Sequence, residues 1–483
     1  MMADKYSRPL AAALVALCTI LIASIAPTNA ARVGSFLYFW FDPQVIYNDS
    51  KSKTTLRIYT EKKDVVSVWL QTVAQGYPDS WVELFDDGTH GDSTAGDGTY
   101  TLNKITSDTL GITNRALPFG GTYSTYGFQT KIVKKSGKVE TNWEVGIGYV
   151  DKAQVFQTKR FSTNLLATQY ALFIVDPSGK ILDAKIPLGA VKCGDTAFGA
   201  FEKLYSVLPD MFDIVIVMPA AQIFDPARNY SENVPYAVPV KNKIRNIGME
   251  IFDNSARFFS KGRLRCMVYH SFGTGQILDH EVGHAWSAWH FARSLGIGES
   301  DTAHWADNTD IGGQMASFVS SPGGRTGHLF DNGDGTWRIE REPGDNDPYS
   351  ALDLYLMGLI PASEVPPIHK LINPNYTNPD RVTAKRVETY TIDQMMDAEG
   401  GPREPSWEQS PRKFRVAFIA VKNKAFTPAE FAFFSLVAKY FTSKEPGYLS
   451  MTTFYTATGG LATLDARLPV EIPASGQLAK AGD

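Results

Sequence analysis

The chain has 483 residues, of which 43% are hydrophobic and 20% charged, and a formal net charge of -4. That is the composition of a globular protein long enough for two or three domains, each with its own core. The charge balance provides no basic footprint for nucleic acid, and beyond the first 30 residues no run spans a bilayer, so stable membrane insertion is not expected.

Residues 1–30 have the layout of a secretory signal peptide. Lys5 and Arg8 precede an apolar stretch from residue 10 to 25, and small residues end at Thr28-Asn29-Ala30. Cleavage is expected after Ala30, with export to the periplasm or the extracellular space. Cys18 follows the bulky Leu17, which disfavours lipid anchoring. The mature chain then keeps Cys193 and Cys266, and both one disulfide and two buried thiols fit that pair.

Between residues 31 and 165 short apolar runs rich in β-branched and aromatic residues alternate with turn residues, among them TTLRIYT, VVSVWLQTV and ETNWEVGIGYV. This pattern predicts an antiparallel β-sandwich. Two of its strands are joined by LFDDGTHGDSTAGDGTYT, residues 84–101. The density of Asp and Gly there calls for tight turns, and Asp86, Asp87, Asp92 and Asp97 offer oxygens for calcium as a secondary role, although their spacing is not that of an EF-hand loop.

A second regime, residues 166–385, alternates strands with helical periods. YALFIVD reads as a strand, AFGAFEKLYSVLP as a helix, and FDIVIVMP (212–219) as a strand buried on both faces. RLRCMVYH (263–270) is a further strand, followed by HEVGHAWSAWH (280–290). An H-E-x-x-H sequence on a helix sets two imidazoles about 40° apart on one face, where both reach one zinc ion. Zinc brings the pKa of a bound water to about 7, and the intervening glutamate is placed to take its proton. His280 and His284 are therefore the expected ligands and Glu281 the expected general base.

Catalytic zinc takes three protein ligands and an open position, and three residues compete for the third place. His290 stands at the spacing of H-E-x-x-H-x-x-G-x-x-H, but Ser287 replaces the helix-breaking glycine and the apolar period continues to Gly296. On an unbroken helix His290 would lie about 9 Å along the axis from His284 and about 240° around it, facing away. His304, in TAHWADNTDIGGQM, sits in a loop beyond Gly296 and Gly298 and is the preferred ligand. Asp353 is the third candidate, although the pattern S-x-x-D with Ser350 also suits a helix cap. Met315, in the GGQM turn, could floor the metal or simply fill the core. Tyr349 and Tyr355 could stabilise an oxyanion, but their apolar spacing favours packing, and His270 and His328 have no spacing argument. DNGDGTW (331–337) partly matches a calcium loop, with Glu342 at the twelfth position and the glycine one place early.

Residues 386–483, with TYTIDQMM, FRVAFIAVKN and a helix over 428–441, read as a small C-terminal α/β subdomain and tail.

The combination HEVGHAW, AHW, DNGDGTW and YSALDLYLMGLIPASEVPP resembles a group of secreted bacterial zinc metalloproteases of the zincin class with an N-terminal immunoglobulin-like module. The Asp- and Gly-rich hairpin is similar to that of such modules. More distantly, YSALDLYLMGL is similar to the segment after the active site in immune inhibitor A-type proteases, whose motif continues to an aspartate where this chain has His290. The resemblance implies a secreted zinc endopeptidase acting on a protein or peptide, with His280 and His284 as ligands and Glu281 as base. A secreted binding or adhesion protein with an inert zincin fold is the alternative, and a zinc hydrolase of another substrate class also fits the motif. Substrate and oligomeric state are not legible.

Overall fold

A computed structural model describes residues 36–60, 64–74, 77–113, 115, 117, 119–178, 181, 199–220, 235–270, 277–299, 303–341, 348–446 and 452–472. Residues 1–30, Cys193 and Glu342 lie outside the described residues. The protein is β-rich, with few helices, and is built as more than one packed unit.

Strands β1 (Phe36–Asp42), β3 (Thr54–Thr60) and β6 (Thr99–Ile105) form one sheet in the order β1-β3-β6. A second sheet has the order β2-β8-β7-β4-β5, from β2 (Val45–Tyr47), β4 (Val65–Ala74), β5 (Tyr77–Leu84), β7 (Tyr123–Lys134) and β8 (Val139–Val150). Along β3 every second residue is buried, the period-2 alternation that TTLRIYT predicts. Leu56 and Ile58 from one sheet and Val68, Leu70, Phe128 and Ile132 from the other share one core, which makes the pair a sandwich.

The hairpin between β5 and β6 uses its aspartates as turn acceptors. Asp86 takes the amides of Gly96, Asp97 and Gly98, and Asp92 takes those of Gly88 and Thr94. Asp86, Asp92 and Asp97 also bring carboxylate oxygens within 4.8 Å of one another. In the DNGDGTW stretch Asp331 accepts from Gly333 N and Asp334 from Thr336 N, again as turn acceptors.

The second unit is organised by a mixed sheet of order β13-β16-β12-β22-β11-β10-β9. Its strands are β9 (Lys159–Ser162), β10 (Leu165–Ala167), β11 (Ala171–Val175), β12 (Ile214–Pro219), β13 (Tyr236–Pro239), β16 (Cys266–Tyr269) and β22 (Lys413–Lys422), and β23 (Thr463–Asp465) pairs with β22. Strands β11, β22, β12 and β16 run parallel, and β13 is an antiparallel edge. All six residues of β12 are buried because both faces are covered. Helix α1 (Gly199–Val207) packs on one face with Phe201 and Leu204, and α5 (Pro428–Phe441) on the other with Phe433 and Val437.

Two expected boundaries differ from the structure. Strand β22, assigned from sequence to a C-terminal subdomain, lies at the centre of the sheet between β11 and β12, because its residues are buried on both faces and find partners some 200 positions earlier in the chain. Strand β9 and Leu165 belong to the second unit's sheet, so the sandwich ends with β8. The sandwich packs directly on α5: Tyr123 meets Phe433 edge-on at 5.5 Å and Phe119 meets Tyr440 at 5.5 Å.

Smaller elements complete the fold: β14 (Lys241–Asn242) with β15 (Phe252–Asp253), β17 (Val319–Ser320) with β18 (Thr326–Asp331) and β19 (Trp337–Glu340), the hairpin of β20 (Ile368–Asn375) and β21 (Thr383–Tyr390), and helix α4 (Ile392–Glu399). No helix among the described residues is long and apolar enough to cross a membrane.

Candidate metal centre

The motif lies on helix α2 (Leu278–Gly283), which follows β16 and is only six residues long. Its N-cap, Ile277, adopts φ 61°, a left-handed conformation that is strained for a β-branched side chain. The predicted continuation to Gly296 does not form. His284 is the C-cap, and Ala288, His290 and Ala292 all take positive φ. The segment that follows is held by side-chain contacts instead. Ser287 Oγ donates to Asp353, Trp289 Nε1 to His284 O, and Ala292 N to the Glu399 carboxylate. Gly248 lies flush on this segment, where any side chain would collide with the peptide from Trp289 to Phe291.

His280, His284 and His304 nevertheless converge. One ring nitrogen from each lies within 4.8 Å of the other two, and the ring centroids are 4.9, 5.1 and 5.3 Å apart. His280 Nε2 and His304 Nε2 approach to 3.2 Å. His280 Nδ1 donates to the carbonyl of Gln314 at 2.5 Å. Because a carbonyl can only accept, this bond puts the ring proton on Nδ1 and leaves the Nε2 lone pair facing the other histidines. Burial, then the neighbouring His304, pushes the His280 pKa down to about 4, against the opposing effect of the Gln314 bond. Burial and the two other rings hold His284 well below the ordinary range. Both rings are thus kept neutral, the form a metal requires.

The GGQM turn sits directly beneath the helix. Gly312 and Gly313 turn with φ of 61° and 74°, and Gln314 N donates to Pro348 O. Met315 is fully buried, and a Cβ on Gly283 would stand 2.5 Å from its sulfur and 2.8 Å from Tyr349 Cε1. Glycine is therefore needed at position 283 by close approach, and Met315 floors the motif helix while also filling the core.

Glu281 is 5% exposed, and no hydrogen bond to its carboxylate is found among the described residues. Burial pushes its pKa up to about 8. It lies near enough to Cys266, a buried free thiol, to raise that group further.

The other sequence candidates have different duties. His290 does not join the trio although the helix breaks before it. It borders a cavity with Arg293, Glu299 and Trp305. Asp353 is fully buried and closes a capping box with Ser350 at the start of α3 (Ala351–Met357), so it is not the third ligand. Tyr349 donates its hydroxyl to Asp279 O, and Tyr355 OH accepts from Arg403 N, which commits both to packing. His270 follows β16 and His328 stacks on Phe318 at 4.7 Å, both outside the trio. Sequence reasoning missed the Gln314 carbonyl and the Ser287–Asp353–Trp305 contacts. The only local sign of the latter was Ser287 standing in the glycine position.

No family model, curated protein or solved structure matches this chain.

Proposed function

We propose that the protein is a zinc-dependent endopeptidase in which His280, His284 and His304 hold the metal and Glu281 is the general base. The observation that carries this reading is the 3.2 Å approach of His280 Nε2 to His304 Nε2, with the far nitrogen of His280 tied to Gln314 O. Two nitrogens bound to one tetrahedral ion at about 2.0–2.1 Å stand about 3.3 Å apart, so the spacing fits a shared zinc. Three imidazoles with no carboxylate among them suit zinc far better than calcium or magnesium.

Zinc, when bound, would acidify a water and polarise the scissile carbonyl. Glu281 accepts the proton of the attacking water on its carboxylate and returns it to the departing amine nitrogen. Its burial excludes competing solvent, and a dication held by the adjacent rings favours its ionised form. On this reading the sandwich is an immunoglobulin-like module, the second unit a zincin-type catalytic domain, and residues 1–30 an export signal.

Glu281→Gln tests the assignment. Zinc content should match the wild type, while hydrolysis of an unfolded protein substrate falls by about 10²-fold or more. Cleavage retained by the purified variant removes Glu281 as the base. Wild-type protein that binds zinc and cleaves no peptide supports the inert binding protein instead.

A further inference from the structure

The ligands of the candidate metal centre lie on separate segments, and a single buried carboxylate touches two of the segments involved. Asp353 Oδ1 accepts from Ser287 Oγ, three residues beyond His284, and from Trp305 Nε1 at 2.8 Å, the neighbour of His304. Asp353 Oδ2 faces the other way and accepts from Ser350 N at 3.0 Å and Ser350 Oγ at 2.7 Å. The side chain is 0% exposed, and the four donors aimed at its two oxygens oppose the burial that pushes its pKa up. The two oxygens have separable tasks: Oδ2 caps α3, whereas Oδ1 joins the segment after His284 to the segment carrying His304.

Trp305 is in turn a rigid lever. Its indole is 1% exposed, its amide donates to Met315 O at 2.9 Å, and its carbonyl accepts from Ser317 N at 3.0 Å. The same turn presents Gln314 O to His280. Movement of the indole therefore shifts His304 directly and the Gln314–His280 contact through the turn.

We propose that Asp353 is a positioning residue of the metal centre: through Trp305 and Ser287 it sets His304 against His280 and His284, a role separate from its capping of α3. The inference rests on the reading of the three histidines as a zinc site. It assigns Ser287 a purpose at the place where a helix-breaking glycine would stand. There the hydroxyl ties the segment leaving α2 to Asp353.

The test separates the two oxygens. Trp305→Phe and Ser287→Ala each remove donors to Oδ1, and Ser350→Ala removes a donor to Oδ2. Zinc affinity of the full-length mature protein is measured by competition with a chromophoric chelator, the ligand-field spectrum by Co²⁺ substitution, and metal-free stability by thermal unfolding. Trp305→Phe is expected to weaken zinc binding by about 10- to 100-fold and to alter the Co²⁺ spectrum, with Ser287→Ala acting in the same direction. Ser350→Ala should lower the metal-free melting temperature while leaving zinc affinity within about 2-fold of wild type. Ser287→Ala removes one hydroxyl and carries the test where Trp305→Phe does not fold. Unchanged zinc affinity in the Oδ1 variants, or an equal loss in Ser350→Ala, overturns the inference while the zinc site stands. Wild-type protein that binds neither zinc nor Co²⁺ overturns the site itself, and the inference with it.

Discussion

Replacing Gly283 by alanine sets helix propensity against packing. In an ordinary helix the change stabilises by up to about 1 kcal/mol, because glycine loses more conformational freedom on folding. Here the new Cβ would stand 2.5 Å from Met315 Sδ and 2.8 Å from Tyr349 Cε1, well inside normal contact. Neither neighbour is free to retreat. Tyr349 is tethered by its hydroxyl to Asp279 O, and Met315 is 0% exposed with its carbonyl held by Trp305 N. Overpacking of an anchored core costs about 1–3 kcal/mol, and two simultaneous collisions place this one near the top of that range. Set against propensity, the net effect is a destabilisation of about 2 kcal/mol, a fall of several degrees in the metal-free melting temperature. Differential scanning calorimetry of the chelator-treated protein measures it. Gly146→Ala, where the new methyl meets nothing within 4 Å, is the control and should change stability by less than about 0.5 kcal/mol. A Gly283→Ala protein as stable as wild type, or more so, would refute the packing of the methionine turn against the motif helix.

Two further outcomes follow from buried charges. In the metal-free protein the His280 pKa is depressed to about 4, so the unfolded chain binds more protons than the native one between about pH 6.5 and 4. Stability should therefore fall as the pH drops through that window. Glu281 has the opposite sign: its folded pKa of about 8 makes the native state the better proton binder above about pH 4.3, so its contribution is lost as pH rises toward 8. The metal-free protein should thus be most stable in mildly acid solution, and Glu281→Gln should flatten the alkaline limb in melting curves recorded across pH. At the sheet, Lys422 Nζ meets both Glu430 carboxylate oxygens at 2.7 and 2.6 Å, with the side chains 4% and 0% exposed. Glu430→Gln leaves that ammonium buried without a counter-charge and should cost about 3–5 kcal/mol, read as a lower urea midpoint.

Much of the centre is legible because its chemistry is local. His280 and Glu281 lie on one short helix that His284 caps, and His304 returns from the loop beyond Gly296 and Gly298. The Asp- and Gly-rich hairpin is legible for the same reason, since Asp86 and Asp92 accept amides within a dozen residues. The end of α2 at Gly283 is not legible. The groups that bind the following segment, Asp353 at the Ser287 hydroxyl and Glu399 at the Ala292 amide, are 66 and 107 positions away from their partners, and no helical period records them. Excluding His290 on the grounds of an unbroken helix reaches the observed arrangement by the wrong route. The place of β22 was hidden likewise: FRVAFIAVKN announces a buried strand, but only pairing with β11 and β12 reveals that it completes the central sheet.

Zinc stoichiometry and affinity of the wild type and of His304→Ala, by atomic absorption after dialysis and by chelator competition, decide whether the three histidines share one ion. One zinc per chain in the wild type, with affinity reduced at least about 10-fold in His304→Ala and both proteins folded, is the expected result. A wild type without stoichiometric zinc, or a His304→Ala variant that binds it equally well, would rule out a zinc site built from these three side chains.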